Sequence, residues 1–192
     1  MITFDTFAGG IKTNTLSYTG SSQTGGTSGA ISGTANGFYF TLLISSTDPT
    51  SSSPLNSAWA QATYNGAGLI GVNYTGLAGD AEGPNGTGST AIGNWAAGAT
   101  EFYEIVGWSA SLGTTWSQVS SELASGFTGL SGYFGNSSVA SGISGTPPTG
   151  TPLNVFNGAG ALTLYTVATP EPGTMALAGL GIAGLVALRR KK

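Results

Sequence analysis

The last two dozen residues constrain this chain most. They run T-P-E-P-G-T-M-A-L-A-G-L-G-I-A-G-L-V-A-L-R-R-K-K from Thr169 to Lys192. Three parts follow in fixed order: Pro170-Glu171-Pro172, an apolar run from Gly173 to Leu188, and the cations Arg189, Arg190, Lys191 and Lys192. The two prolines lack N–H groups and fix φ, so the triplet is expected to be extended and unable to join a helix or central strand. The apolar run is about 16 residues, roughly 24 Å as a helix. That is slightly short of the ~30 Å hydrocarbon core, and flanking basic side chains can close the gap by snorkelling. A soluble amphipathic helix would carry polar residues on one face, and none stands between Met175 and Leu188. The reading is a transmembrane helix, Gly173 to Leu188. The positive-inside rule keeps Arg189–Lys192 cytoplasmic and places everything before the helix outside.

At these residues the tail resembles the PEP-CTERM sorting signal of bacteria. Pro170, Glu171 and Pro172 match the signature triplet, Gly173 to Leu188 the membrane segment, and Arg189, Arg190, Lys191 and Lys192 the basic stop. The resemblance covers only this tail. It implies export, an inner-membrane-anchored precursor, and recognition and cleavage near the triplet by an exosortase, a membrane-embedded cysteine transpeptidase-like enzyme. It also implies a final place at the cell surface or in the exopolysaccharide matrix of a Gram-negative bacterium. The chain is then the enzyme's substrate. Export also requires an N-terminal signal with a basic and an apolar region. Met1-Ile2-Thr3-Phe4-Asp5-Thr6-Phe7 instead reads as the start of a strand, so either such a signal is expected upstream of this Met1, the favoured reading, or export uses another route.

The division is therefore a body, residues 1–168, and a sorting tail, residues 169–192. The body carries one cation, Lys12, against seven acids: Asp5, Asp48, Asp80, Glu82, Glu101, Glu104 and Glu122. Its net charge of −6 cannot neutralise phosphates, which argues against a nucleic-acid partner. There is no Cys and no His, and Gly is abundant at 33 residues. Solubility rests on Ser, Thr and Asn, a pattern that suits an exported β-rich protein with many tight turns.

Hydrophobic patterning predicts many short strands. The strongest are Phe38–Ile44 and Glu101–Trp108, the latter with Phe102, Val106 and Trp108 on one face. Ala58–Tyr64 stops at the turn signal Asn65-Gly66, with Leu69–Tyr74 as the expected hairpin partner. Ala161–Val167 is the expected last strand. Thr115-Trp116-Ser117-Gln118 resembles a capping box and opens one short helix over Trp116–Ala124, with Gly126 at its end. The fold class is mainly β: an antiparallel β-sandwich or jelly-roll-like body with one short helix, plus the C-terminal transmembrane helix.

Candidate chemistry in the body is sparse. A Ser nucleophile lacks a His base, and Lys12 stands outside any supporting motif. A glycoside hydrolase needs two carboxylates roughly 5–9 Å apart across a cleft. Glu101 and Glu104 are expected to face opposite sides of their strand. Asp80, Glu82 and Asn85 offer oxygen ligands for calcium, without the EF-hand spacing; the plainer reading is a solvated acidic loop. Trp59, Trp95, Trp108 and Trp116 could stack on sugars, but core aromatics of a sandwich explain them more simply. Trp95, flanked by loop-like residues, is the one expected at the surface. No cofactor is expected. The alternative to a non-enzymatic surface protein is thus a carbohydrate- or calcium-binding surface module.

Overall fold

Two long apolar segments, adjacent in the sheet, form its spine. Phe38–Ser45 and Thr100–Ser109 pair antiparallel over eight positions, from Phe38↔Ser109 to Ser45↔Phe102. Both are rich in aromatic and β-branched residues, which fill a pleated surface well. The computed structural model describes residues 1–3, 10–20, 23, 25–31, 34, 36–49, 51–84, 86, 89–146 and 150–167.

In chain order the strands are β1 (Ile2–Thr3), β2 (Ile11–Ser17), β3 (Ser28–Ala30), β4 (Phe38–Ser45), β5 (Ala60–Gln61), β6 (Thr63–Tyr64), β7 (Ala67–Gly68) and β8 (Gly71–Asn73). They continue as β9 (Ala81–Glu82), β10 (Ser89–Thr90), β11 (Thr100–Ser109), β12 (Gly132–Asn136), β13 (Ala140–Ile143), β14 (Leu153–Asn154) and β15 (Leu162–Val167). The main sheet runs β3-β2-β15-β12-β11-β4-β8-β9, with β13 on β11 and β5 on β4. It is curled: Gly79 O accepts from Ile11 N at 3.0 Å and Gly79 N donates to Ile31 O at 3.1 Å, joining the β8–β9 side to the β2–β3 side. A small sheet, β10-β1-β14, lies beside it.

The expectation of a mainly β body holds, with differences. Pairing is mixed rather than antiparallel throughout. β15 runs parallel to β2 and β1 parallel to β14, because chain segments from the two ends of the body lie side by side. A second helix, α2 (Val155–Ala159), joins α1 (Trp116–Ala124). Asn154 caps α2, accepting from Phe156 N and Asn157 N at 3.1 and 3.3 Å. Asn65 and Gly66 do form the turn, at φ 49° and 80°. The hairpin closes at once on β7, while β8 leaves to pair with β4. Among the described residues no helix is long and apolar enough to cross a membrane; the expected span, Gly173 to Leu188, lies outside them.

Both faces of the sheet are buried, around two cores. The first gathers Ile2, Ile11, Phe40, Leu42, Ile44, Tyr103, Ile105, Leu162 and Leu164 with α2 residues Val155 and Phe156. The second gathers Leu43, Val106, Trp108, Phe134 and Val167 beneath α1 residue Val119. α1 is the helix expected from its capping box. Thr115 Oγ1 accepts from Gln118 N at 3.4 Å, and Gln118 Oε1 accepts from Thr114 N at 3.1 Å. Its end is a Schellman motif: Phe127 N donates to Glu122 O at 2.7 Å and Gly126 N to Leu123 O at 3.1 Å. Gly126 takes the left-handed conformation this requires, at φ 73°.

Candidate functional site

The sorting residues themselves, Pro170, Glu171, Pro172, Gly173 to Leu188 and Arg189 to Lys192, lie outside the described residues. What the structure defines is the strand they follow. β15 is an interior strand, paired with β12 on one side and β2 on the other. Its side chains alternate between the two cores: Leu162 and Leu164 enter the first, Val167 the second. Its last residues are held as firmly as its first. Tyr18 N donates to Thr166 O at 2.8 Å, Thr166 Oγ1 to Leu16 O at 3.0 Å, and Val167 stands opposite Gly132. The body is thus tied to the tail through the middle of its sheet, not through a fraying edge.

The acidic loop of the sequence reading is partly built into the fold. Asp80 is 5% exposed, and its carboxylate accepts from Ala81 N at 2.8 Å. Glu82 sits half-buried on β9 opposite Val72, and Asn85 lies outside the described residues. Among the described residues no group of three or more Asp, Glu, His or Cys side chains is placed to share a metal ion.

The aromatics are mostly core. Trp108 is fully buried, its ring 6.0 Å from Trp116 and 6.4 Å from Tyr39. Trp95, expected at the surface, is instead 3% exposed. Its Nε1 donates to Ala99 O at 3.0 Å and its ring lies 5.9 Å from Tyr103. A tight turn, Ala99 N donating to Ala96 O, folds the loop-like residues back over it. Asn73, the first residue of an Asn-x-Thr triplet, is also interior. Its Oδ1 accepts from Phe38 N at 3.0 Å and its Nδ2 donates to Thr34 O at 2.6 Å.

Glu101 and Glu104 are separated as the strand period requires. Glu101 lines an open depression with Ser45, Thr47 and Asn94. Glu104 is 0% exposed, on the face of Val106 and Trp108. The two share no cleft.

Glu104 is the feature that residue-type reasoning missed. Its Oε2 accepts from Asn136 Nδ2 at 3.4 Å, and Oε1 is buried with no hydrogen-bond partner. Asn136 Nδ2 also reaches Ser52 O at 2.9 Å, and Tyr18 OH donates to Asn136 Oδ1 at 3.0 Å. Burial disfavours the charged carboxylate and pushes its pKa up to about 8, against a smaller opposing pull from Asn136. Burial, then the nearby Glu104, pushes the Tyr18 phenol up to about 12. Chemically the cluster holds one proton on Glu104 at neutral pH. The sequence signal is its phase: Glu104 falls at period two between Phe102 and Val106, on the same face of the strand.

Comparison with curated proteins and with solved structures returned no match. One family description does match, and only at the tail: residues 168–191 carry a PEP-CTERM protein-sorting motif.

Proposed function

We propose that this chain is a non-enzymatic, exported surface protein whose tail is processed by an exosortase and whose acidic β body is the delivered cargo. The motif at residues 168–191 carries this reading; it implies exosortase-dependent sorting of an exported, membrane-anchored precursor. The interior position of β15 supports it, since pull on the tail is borne by two strand ladders. The body's sparse, acidic charge suits a place among neutral or cation-bridged exopolysaccharide. It needs no cofactor in this role, and titrating it with calcium is expected to release no heat.

The experiment is Glu171→Ala in cells that carry an exosortase. The expected product is an uncleaved, membrane-retained precursor. Unchanged cleavage and release would refute the sorting role of the triplet.

A further inference from the structure

The sorting triplet has almost no linker. β15 ends at Val167 and Pro170 follows three residues later. At a reach of at most ~3.6 Å per residue, the Cα of Pro170 stays within about 11 Å of that of Val167. An enzyme that encloses Pro170–Pro172 in a cleft therefore meets the body as well. Unzipping β15 to lengthen the tether would withdraw Leu162, Leu164, Tyr165 and Val167, all buried, and break pairings on both sides. The body must arrive folded.

We infer that the end of the body around Val167 is a contact surface for the processing exosortase, a deepening that rests on the sorting reading above. Two shallow depressions flank Val167 and Thr166 there. Ser111, Ser131 and Tyr133 line one; Tyr18, Leu123 and Phe127 line the other. The surface is hydroxyl-bearing and aromatic and its lining carries no charge, on a body of net charge −6; Glu122 on α1 is the acid next to it in sequence. It fits an uncharged, hydrogen-bonding rim of the enzyme beside its cleft. The enzyme rather than the lipid surface is the occupant, because the triplet is three residues from the fold and the apolar run begins only at Gly173.

The test uses the full chain, exported in cells with an exosortase, and follows conversion of precursor to product. Ser17 and Ser131 are exposed, one on either side of Val167. The pair Ser17→Arg and Ser131→Arg is expected to slow cleavage about tenfold, as a bulky charge in a packed contact does. Ala161→Arg, exposed one residue before the opposite end of β15, leaves the rate within about twofold. A flexible insert of about 12 Gly/Ser residues after Val167 frees the face from the cleft and restores cleavage of the arginine pair. Cleavage of the pair at the wild-type rate overturns the inference. So does slow cleavage that the insert fails to rescue, which would point to folding or export. So does altered membrane retention with normal cleavage, which would assign the face to lipid. A wild-type chain that is never cleaved overturns the sorting reading and this surface together, whereas cleavage lost in Glu171→Ala but normal in the arginine pair overturns the surface alone.

Discussion

The two faces of the main sheet are both buried, but their chemistry differs. The first core is lined by aliphatic and aromatic side chains, and its unpaired polar atom, Tyr103 OH, is a hydroxyl. The second packs the same kind of residues under α1 but also encloses Glu104, Asn136 and Tyr18. A hydroxyl without a partner costs desolvation once. A carboxyl without one costs it in a pH-dependent way, because only the charged form is strongly disfavoured. The faces should therefore respond alike to lost volume and differently to pH.

Lost volume gives the largest effect at neutral pH. Phe40 is fully buried in the first core and Phe134 in the second. Phe40→Ala and Phe134→Ala are each expected to cost about 4 kcal/mol of stability, from lost transfer energy and an unfilled cavity. Urea unfolding of the released body should show both losses unchanged between pH 5 and pH 9. A Phe134→Ala loss that grows at high pH would mean that packing and ionisation on the second face are coupled.

Ionisation comes next at neutral pH and overtakes lost volume at pH 9. Glu104 has a folded-state pKa of about 8, against an ordinary value of 4.5. Below about 4.5 both states are protonated. Between there and about 8 the folded protein keeps a proton that the unfolded chain releases, so stability falls as pH rises through that window and levels off above it. Tyr18 is the titratable group that faces Glu104, and its raised pKa keeps it neutral throughout. Glu104→Gln removes the ionisation and keeps the shape. It should raise stability at pH 9 by on the order of 5 kcal/mol and change little at pH 4.5. A parallel pH profile for the two proteins would show that the second face is no different from the first.

How far these features could be read in advance depends on whether their cause is local. Phe38–Ile44 and Glu101–Trp108 were legible because continuous β-forming residues mark a strand wherever it pairs. α1 was legible to the residue, since its cap, apolar spacing and Gly126 stop are all within one stretch. The tail motif was legible for the same reason. The parallel β2–β15 and β1–β14 pairs were not, because pairing between distant segments leaves no period in either. β9 and β10 are two residues each, and a partner strand rather than their own composition makes them strands. Trp95 was misplaced because a turn back to Ala99, invisible in a Gly/Ala-rich stretch, buries its ring. Glu104 is legible in phase, but carboxylates are almost never fully buried, and only the packing of the second face overrides that preference.

The smallest effect tests whether α1 is what closes the second face. Thr115 caps the helix through Gln118 N, while Gln118 returns a bond to Thr114 N. Thr115→Ala removes the first bond and leaves the second, so the expected loss is about 1 kcal/mol. The loss should be local before it is global. Trp116 follows the cap directly, and its ring lies 6.0 Å from Trp108, so a loosened first turn should weaken the near-ultraviolet signal of the indole pair below the unfolding transition. Thr115→Ser, which keeps the acceptor oxygen, should restore both stability and signal. If the signal falls in Thr115→Ala without any loss of stability, α1 only shields Trp108 from water. The second face would then owe its closure to the Leu43, Phe134 and Val167 packing beneath the helix.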